Sequence, residues 1–215
     1  MSKQPIYEPE GIYHIFNHAN GAENLFLNNE NYFYFLEKYA EKLNEVVSTL
    51  AYCLMPNHFH ILIGVRSEKT LLRFLEKKKE NHNKLKIPDG LSKSELNHFI
   101  VKEQFRGFLG GYVKAFNKYH NRKGSLLRQN TKRKIVNNAK YKTNIIRYLH
   151  LNPVYHGFTA TPETWKYSSY HTFVNNGKTR IPRGEILEWF GGIKGFINFH
   201  QERLEGEGLD VLLEV

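Results

Sequence analysis

The stretch AYCLMPNHFHILIGV, which begins at Ala51, is the part of the chain that most limits its possible folds. Two apolar runs flank Pro56 and Asn57, and turn-forming residues between such runs predict an antiparallel hairpin. Because side chains alternate between the two faces of a strand, His58 and His60 leave the same face. The chain is therefore expected to fold around an antiparallel sheet that carries two imidazoles side by side.

This histidine pair allows two interpretations. Imidazole is the commonest side-chain ligand for divalent transition metals, and two on one rigid strand provide half of a coordination shell. A histidine pair can equally be a polar, solvent-facing strand edge. His14 and His18, on an earlier predicted strand, are interpreted as polar strand residues, since the sequence alone does not place them near the pair.

Hydrophobic periodicity predicts further helices and strands around the hairpin. Their order and mixture predict an α+β fold, with a ferredoxin-like antiparallel sheet packed by helices. The predicted elements are, in chain order, a strand over Gly11–His18, a helix from Asn28 or Asn29 to about Val47, strands over Leu50–Met55 and His58–Val65, a lysine-rich helix over 70–85, a helix opened by the capping box Ser92–Glu95, a helical aromatic face over 105–120, a strand over Lys134–Val136, and a helix capped by Asn137 or Asn138 and stopped by Pro153.

One main domain is expected over residues 1–174, since a chain of 215 residues is long enough for one substantial core. The polar segment 175–180 predicts a linker. Residues 175–215 are then expected to form a helical C-terminal extension packed on that domain, with helices over Pro182–Phe190 and Lys194–Leu204.

The formal net charge of +10 and the isoelectric point near 9.5 indicate a polyanionic partner, and nucleic acid fits better than a membrane surface. No apolar run is long enough to span a membrane, and the first residues lack a signal-peptide hydrophobic segment, so a cytoplasmic protein is expected. The single cysteine, Cys53, lies in an apolar strand and is expected to be a core residue.

Basic residues cluster just before the last predicted strand. Arg128, Lys132, Arg133 and Lys134 are expected at the edge of the sheet, which is a suitable place for contact with a phosphodiester backbone. The run Lys77–Lys79 is interpreted as a solvated helix face, with contact to phosphates as the alternative.

The last predicted helix before residue 160 carries a stripe of four residues. Tyr141, Ile145, Tyr148 and Asn152 follow one another by four, three and four positions and so share one side of the helix. Tyr148 and Asn152 could therefore deliver a phenolic nucleophile and an oxygen ligand to one place. The plainer alternatives are a core aromatic residue for Tyr148 and a helix-ending residue ahead of proline for Asn152.

Three segments together indicate a family: MPNHFH at 55–60, RYLHLNPVYHG at 147–157 and WKYSS at 165–169. Over roughly residues 11–173 the chain resembles the single-tyrosine HUH transposases, and in particular the REP-associated tyrosine transposases. The resemblance implies an HUH endonuclease-like fold, with His58 and His60 as metal-binding histidines, Tyr148 as the nucleophile and Asn152 as the side chain that completes the metal site. Insertion-sequence members usually carry glutamine at this last position, whereas asparagine followed by proline is typical of the REP-associated branch.

The same resemblance implies a metal-dependent enzyme, using Mg²⁺ or Mn²⁺, that nicks single-stranded DNA through a 5′-phosphotyrosine intermediate and transfers the strand. The expected substrate is single-stranded DNA or a DNA hairpin with a single-stranded flank, bound by a monomer or a homodimer. Two alternatives stay open. One is a domesticated, structure-specific DNA-binding protein without catalysis, and the other is a replication initiator or relaxase with the same chemistry.

Overall fold

The computed structural model describes residues 4–80 and 86–202. Its elements, in chain order, are β1 (Ile12–His18), α1 (Asn29–Leu43), β2 (Val47–Met55), β3 (His58–Val65), α2 (Glu68–Glu80), α3 (Lys93–Tyr119), β4 (Lys132–Ile135), α4 (Ala139–Tyr155), a 3₁₀ turn (Pro162–Thr164), α5 (Tyr170–Val174), α6 (Arg183–Glu188) and α7 (Ile193–Gln201).

The four strands form one antiparallel sheet in the order β2-β3-β1-β4. Strands β2 and β3 are the predicted hairpin, and β1 pairs with β3 so that His18 lies opposite His58 and Phe16 opposite His60. The last strand, β4, lies at the edge of the sheet beside β1. The predicted α+β fold, a ferredoxin-like antiparallel sheet packed by helices, is confirmed.

A hydrophobic core lies on each face of the sheet. One core joins α1 and α3 to residues such as Tyr13, Ile15 and Phe59, and we call this side the helix-pair face. The other core joins α4 to residues such as Cys53 and Leu62, and we call this side the tyrosine face because Tyr148 belongs to it. As expected, Cys53 is a buried core thiol.

Two predicted boundaries are corrected. Helix α1 ends at Leu43, and Val47 begins β2 opposite Val65, because a β-branched residue at a buried paired position suits a strand. Strand β4 begins at Lys132 and not at Lys134, since its pairing with β1 starts opposite Phe16.

The capping box at Ser92 is confirmed, and it opens one helix of 27 residues that includes the whole aromatic face expected over 105–120. The lysine-rich helix α2 spans Glu68–Glu80, and the remainder of its predicted range, residues 81–85, lies outside the described residues.

Helix α4 continues through Pro153 to Tyr155, so the prediction that Pro153 stops the helix is wrong. Proline lacks an N–H donor and its ring crowds the carbonyl of the preceding turn, and here the helix accommodates both effects two residues before its end. The helix is closed one residue later by His156, and Gly157 follows with a positive φ of 71°. Asn152 therefore keeps its helical position, one turn after Tyr148.

Helices α6 and α7 pack on the tyrosine face, where Ile186 and Phe196 are fully buried beside Tyr170 and Phe173. The division of the chain into a domain over 1–174 and an extension stays a prediction, and residues 203–215 lie outside the described part. Within that part, none of the helices is long and apolar enough to cross a membrane.

Candidate active site

Strand β3, strand β1 and helix α4 bring the predicted site residues together on the tyrosine face. The alternation of β3 directs His58 and His60 to this face, as expected, and both are buried. Tyr148 contacts the histidines edge-on, with its ring centroid 5.4 Å from that of His60. Asn152 reaches His58 from the next helical turn. All four residues that the sequence predicted for the site therefore lie in one cluster.

His60 is held through one nitrogen and is unpartnered at the other. Its Nδ1 lies 2.9 Å from Nε2 of His14, which is on β1. Its Nε2 is buried and has no hydrogen-bond partner. A metal-ligating histidine commonly has this arrangement, in which an outer group fixes the ring while the other nitrogen faces the ion.

His58 lies between two amide oxygens. Its Nδ1 is 2.8 Å from Oδ1 of Asn57, and its Nε2 is 2.8 Å from Oδ1 of Asn152. A neutral imidazole has a single N–H, so it donates to one of these oxygens and turns a lone pair toward the other. A cation bound by His58 Nε2 and Asn152 Oδ1 would remove that mismatch.

Burial keeps the site histidines uncharged at neutral pH. It lowers the pKa of His58 to about 3 and that of His60 well below its usual range, and the positive charges that neighbouring histidines would carry act in the same direction. Only the neutral imidazole can offer a lone pair to a metal. The cluster is therefore ready for a cation without first losing protons.

Tyr148 is 1% exposed, and its Oη is buried without a hydrogen-bond partner. Burial raises the pKa of its phenol to about 12, against a smaller lowering by the amide of Asn152. A buried hydroxyl without a partner is costly, so this atom is expected to meet a ligand when the protein functions. The phosphorus of a DNA strand can reach Oη only after neighbouring side chains move.

The residues fit a divalent metal in part. Within residues 4–80 and 86–202, no group of three or more histidine, cysteine, aspartate or glutamate side chains is placed to hold a metal ion. A site here would depend on two imidazoles and the amide oxygen of Asn152, with further positions left for oxygen atoms of the substrate. The unpartnered His60 Nε2 and the facing acceptors at His58 support such a site.

Two histidines of β1 belong to the cluster and were not predicted as part of it. His14 and His18 were interpreted as polar strand residues without a link to the pair, yet His14 contacts His60, and the ring of His18 stacks on that of His58 at 4.5 Å. The two side chains lie on the same face of β1, because the residues are separated by an even number of positions. The signal that identifies them is the register between β1 and β3, which the sequence does not state.

The predicted basic residues surround the edge strand and divide between the two faces. Lys132 and Lys134 pair with Phe16 and His14, so they lie on the tyrosine face. Arg133 lies on the helix-pair face, where its guanidinium is 4.7 Å from the ring of Tyr7 and donates to a backbone carbonyl of the N-terminal segment. Arg128 is exposed in the loop before β4.

The lysine run in α2 is solvated, as interpreted from the sequence. Lys77 forms an exposed ion pair with Glu45 at 3.0 Å, and Lys78 lies over the ring of Phe74. These contacts place the run outside the cluster around Tyr148.

The fold and the cluster together define an α+β protein whose antiparallel sheet and helices resemble the arrangement of the HUH endonucleases. Comparison with known proteins then makes the likeness specific. No protein-family model matches the chain. A protein of Haemophilus influenzae, provisionally assigned to the REP-associated tyrosine transposases, is 23% identical over 128 residues, which are 59% of this chain and 60% of that protein. The match thus spans less than two thirds of that relative.

A solved structure of a REP-associated tyrosine transposase, bound to a REP hairpin, superposes with a TM-score of 0.58. It is 15% identical, and the match covers 82% of this chain and 87% of that one. At this identity the likeness shows the fold. The resemblance to REP-associated tyrosine transposases, first indicated by the motifs, is confirmed by both comparisons.

Proposed function

We propose that this protein is a metal-dependent transposase that nicks and rejoins single-stranded DNA through a 5′-phosphotyrosine intermediate at Tyr148. The observation that supports it best is the pair of unpartnered buried atoms, His60 Nε2 and Tyr148 Oη, on two side chains in contact. In this proposal, His60 Nε2 is the nitrogen that binds the metal and Tyr148 Oη is the nucleophile. Both lack a partner that a phosphodiester with its cation would supply.

The chemistry is a transesterification. Tyr148 Oη loses its proton and forms a bond to phosphorus, the bond from phosphorus to the 3′ oxygen breaks, and that oxygen takes up a proton as a free 3′-OH. The number of phosphodiester bonds is conserved, so rejoining to another 3′-OH needs no external energy. Burial in an apolar wall holds the phenol in one position, which favours an in-line approach.

A divalent metal, Mg²⁺ or Mn²⁺, would be held by His58, His60 and Asn152. When bound, it polarises the scissile phosphate and stabilises the negative charge that develops in the transition state. His14 positions His60 through the hydrogen bond at Nδ1, and Asn57 does the same for His58.

The proposed substrate is single-stranded DNA or a DNA hairpin with a single-stranded flank. The solved relative was bound to a REP hairpin. In this chain, Lys132 and Lys134 lie on the same face as Tyr148, where they could contact the phosphates of the flank.

One observation favours a second candidate, a structure-specific DNA-binding protein without catalysis. Tyr148 is 1% exposed, as a core aromatic residue would be. An Asn152 amide that donated through Nδ2 would also satisfy His58 without a metal. Both candidates share the fold and the basic surface, so only a covalent assay separates them.

The deciding experiment compares the unmodified protein, Tyr148→Phe and Tyr155→Phe. Each is incubated with Mn²⁺ and a labelled hairpin with a 5′ single-stranded flank, denatured, and run on a gel. We expect a covalent adduct with the unmodified protein and with Tyr155→Phe, whose ring lies 6.3 Å from Tyr148, and none with Tyr148→Phe. Hairpin binding by Tyr148→Phe should be retained. An adduct that persists in Tyr148→Phe would assign another nucleophile, and no adduct with any protein would favour the second candidate.

A further inference from the structure

Arg147, the residue before the proposed nucleophile, carries a buried positive charge. The residue is 3% exposed, and its Nε is buried without a hydrogen-bond partner. Within residues 4–80 and 86–202, its guanidinium forms no ion pair. A charged side chain is rarely buried in this way unless another group compensates for its lost hydration.

The compensation within the protein comes from an aromatic ring. The guanidinium lies over the ring of Phe199, in α7, at 5.2 Å from its centroid. The ring face attracts a cation, but it offers no oxygen or nitrogen atom to the N–H donors of the group. Replacing a buried charge by an apolar side chain of similar size is often neutral or stabilising. Packing alone therefore gives no reason for arginine at this position, whereas an anionic ligand would.

Tyr155 connects Arg147 to the candidate active site. The two residues share one stripe of α4, since they are two steps of four residues apart. Burial raises the pKa of the Tyr155 phenol, and the positive charge of Arg147 acts in the opposite direction, so the two groups are close together. Tyr155 is 40% exposed, and its ring stacks on that of Tyr148 at 6.3 Å. It is thus a partly exposed side chain that adjoins both Tyr148 and Arg147.

The anion that fits this place is a phosphate group. A guanidinium presents its N–H groups as a planar fork, which matches two oxygen atoms of a phosphate. The next residue along α4 is the proposed nucleophile. A strand that brings a phosphorus atom to Tyr148 also brings the neighbouring phosphates to this part of the helix.

We propose that Arg147 binds a phosphate of the single-stranded DNA flank, adjacent to the phosphate that Tyr148 attacks, and that Tyr155 covers both side chains in the free protein. This inference rests on the proposed function for the identity of the strand. The site itself rests on the buried guanidinium, its unpartnered Nε and the position of Tyr155. It assigns Arg147 to holding the strand in register with the nucleophile.

The test compares Arg147→Met with Arg73→Met, the same change at an exposed arginine of α2. Both variants are made in the full chain that already carries Tyr148→Phe, which we call the parent protein, and no metal is added, so binding is measured without cleavage. The probe is the labelled hairpin with a 5′ single-stranded flank. In a series of probes, a neutral methylphosphonate replaces one flank phosphate at a time, and fluorescence anisotropy measures each affinity.

Arg147→Met should weaken binding of the unmodified probe by about tenfold, whereas Arg73→Met should change it little, because only the first removes a charge-assisted contact with phosphate. One methylphosphonate should weaken binding to the parent protein by a similar factor and cause no further loss with Arg147→Met. This lack of additivity would identify the contacted phosphate, since changes at independent sites add. Arg147→Lys keeps the charge without the planar fork and should lose less affinity than Arg147→Met.

Urea denaturation of the free protein separates this role from a structural one. Arg147→Met removes a buried cation that has no counter-charge, so its urea midpoint should equal that of the parent protein or exceed it. Weaker binding together with undiminished stability is the result expected of a ligand site. A lower midpoint with unchanged affinity would overturn the proposal, because Arg147 would then serve the packing of α4 against α7.

Additive losses at every methylphosphonate position would also overturn the site, whatever the stability of the variant, because Arg147 would then contact none of those phosphates. So would an equal loss of affinity for the hairpin without its flank. The covalent assay on Tyr148 is independent of these measurements. An adduct without coupling to any flank phosphate would leave the proposed function and remove the Arg147 site, whereas coupling without an adduct would do the reverse.

Discussion

In the proposed metal site, the hydrogen bonds at Nδ1 of His58 and Nδ1 of His60 orient the two rings. His60 would meet a metal through Nε2, and the only described contact that orients its ring through Nδ1 is His14. Loss of such an outer partner typically weakens metal affinity by about 10- to 100-fold. In the proposed site His14 would therefore act on the metal through His60, as a positioning residue.

His14→Ala should raise the Mn²⁺ concentration needed for half-maximal adduct formation by about tenfold or more, while saturating Mn²⁺ restores the adduct. His14→Gln, which keeps a hydrogen-bonding group near His60, should give a smaller change. His98→Ala is the control, because His98 accepts from the backbone of Tyr7 on the other face. Isothermal titration of Mn²⁺ would measure affinity without DNA. An unchanged metal affinity in His14→Ala would remove this role.

The metal itself is tested by chelation and by the two histidines. Adduct formation should be lost in excess chelator and return with Mg²⁺ or Mn²⁺, and His58→Ala or His60→Ala should abolish it at ordinary metal concentrations. The same gel assay measures both effects. Undiminished adduct in chelator would refute the metal role.

The sequence identified the residues whose neighbours are local. Alternation placed His58 and His60 together, and helical spacing placed Tyr148 and Asn152 on one stripe. It could not place His14 and His18, because their position depends on how β1 pairs with β3 about 45 residues later in the chain, and several registers suit the same pattern. The sequence also left open whether Tyr148 is a core aromatic residue, since burial of one side chain depends on all its packing partners.

The helices and strands begin and end where the local sequence predicts, except where tertiary packing outweighs the local preference. Asn138, one of two candidate caps, accepts from the backbone N–H of Tyr141 at 2.7 Å and starts α4. Pro153 gave a strong stop signal, but helix α4 is held against β2 by Leu149 and its neighbours and extends two residues further. A single missing donor near a helix end is outweighed by that burial.

Replacing the cap of α4 should affect stability more than chemistry. Asn138→Ala is expected to lower the free energy of unfolding by about 1 kcal/mol, since it leaves N–H groups of the first turn without a partner. Asn137→Ala, at the adjacent position outside the helix, is expected to cost much less. Urea denaturation of both variants would measure the difference. Tyr148 lies more than two turns away, so both should form the adduct at saturating DNA, and an equal cost in the two variants would contradict the assigned cap.

At the scale of the whole molecule, five histidines are buried among the described residues, namely His14, His58, His60, His150 and His200. His150 and His200 illustrate this away from the site: Nδ1 of His150 is 2.9 Å from Nε2 of His200, and Nε2 of His150 is 2.8 Å from the hydroxyl of Ser169. His200 donates its own Nδ1–H to the carbonyl of Phe196, so its Nε2 accepts from Nδ1–H of His150. Nε2 of His150 then accepts from the hydroxyl of Ser169. These hydrogen bonds tie α7 and α4 to Ser169, whose hydroxyl accepts from the backbone N–H of Tyr52 in β2, only while both rings are neutral.

Burial sets the titration of these groups. It lowers the pKa of His200 to about 4 and that of His150 well below its usual range, and the same cause lowers the pKa of five other histidines, His14, His18, His58, His60 and His98. In the unfolded chain these rings take up protons near pH 6.5, whereas in the folded protein they resist protonation. The unfolded state therefore binds more protons below that pH.

Stability should consequently be independent of these groups above about pH 7 and fall as the pH drops from about 6.5 toward 4, by up to about 1.4 kcal/mol per pH unit for each buried ring. Urea denaturation at intervals between pH 7.5 and 5 would measure the slope. The double variant His150→Gln/His200→Gln should lower that slope by the equivalent of two protons, whatever its stability at pH 7.5, because glutamine does not titrate. The exposed pair Lys42→Ala/Lys69→Ala serves as the control and should leave the slope unchanged. A stability that stays constant down to pH 5 would show that the buried histidines are not a source of acid sensitivity.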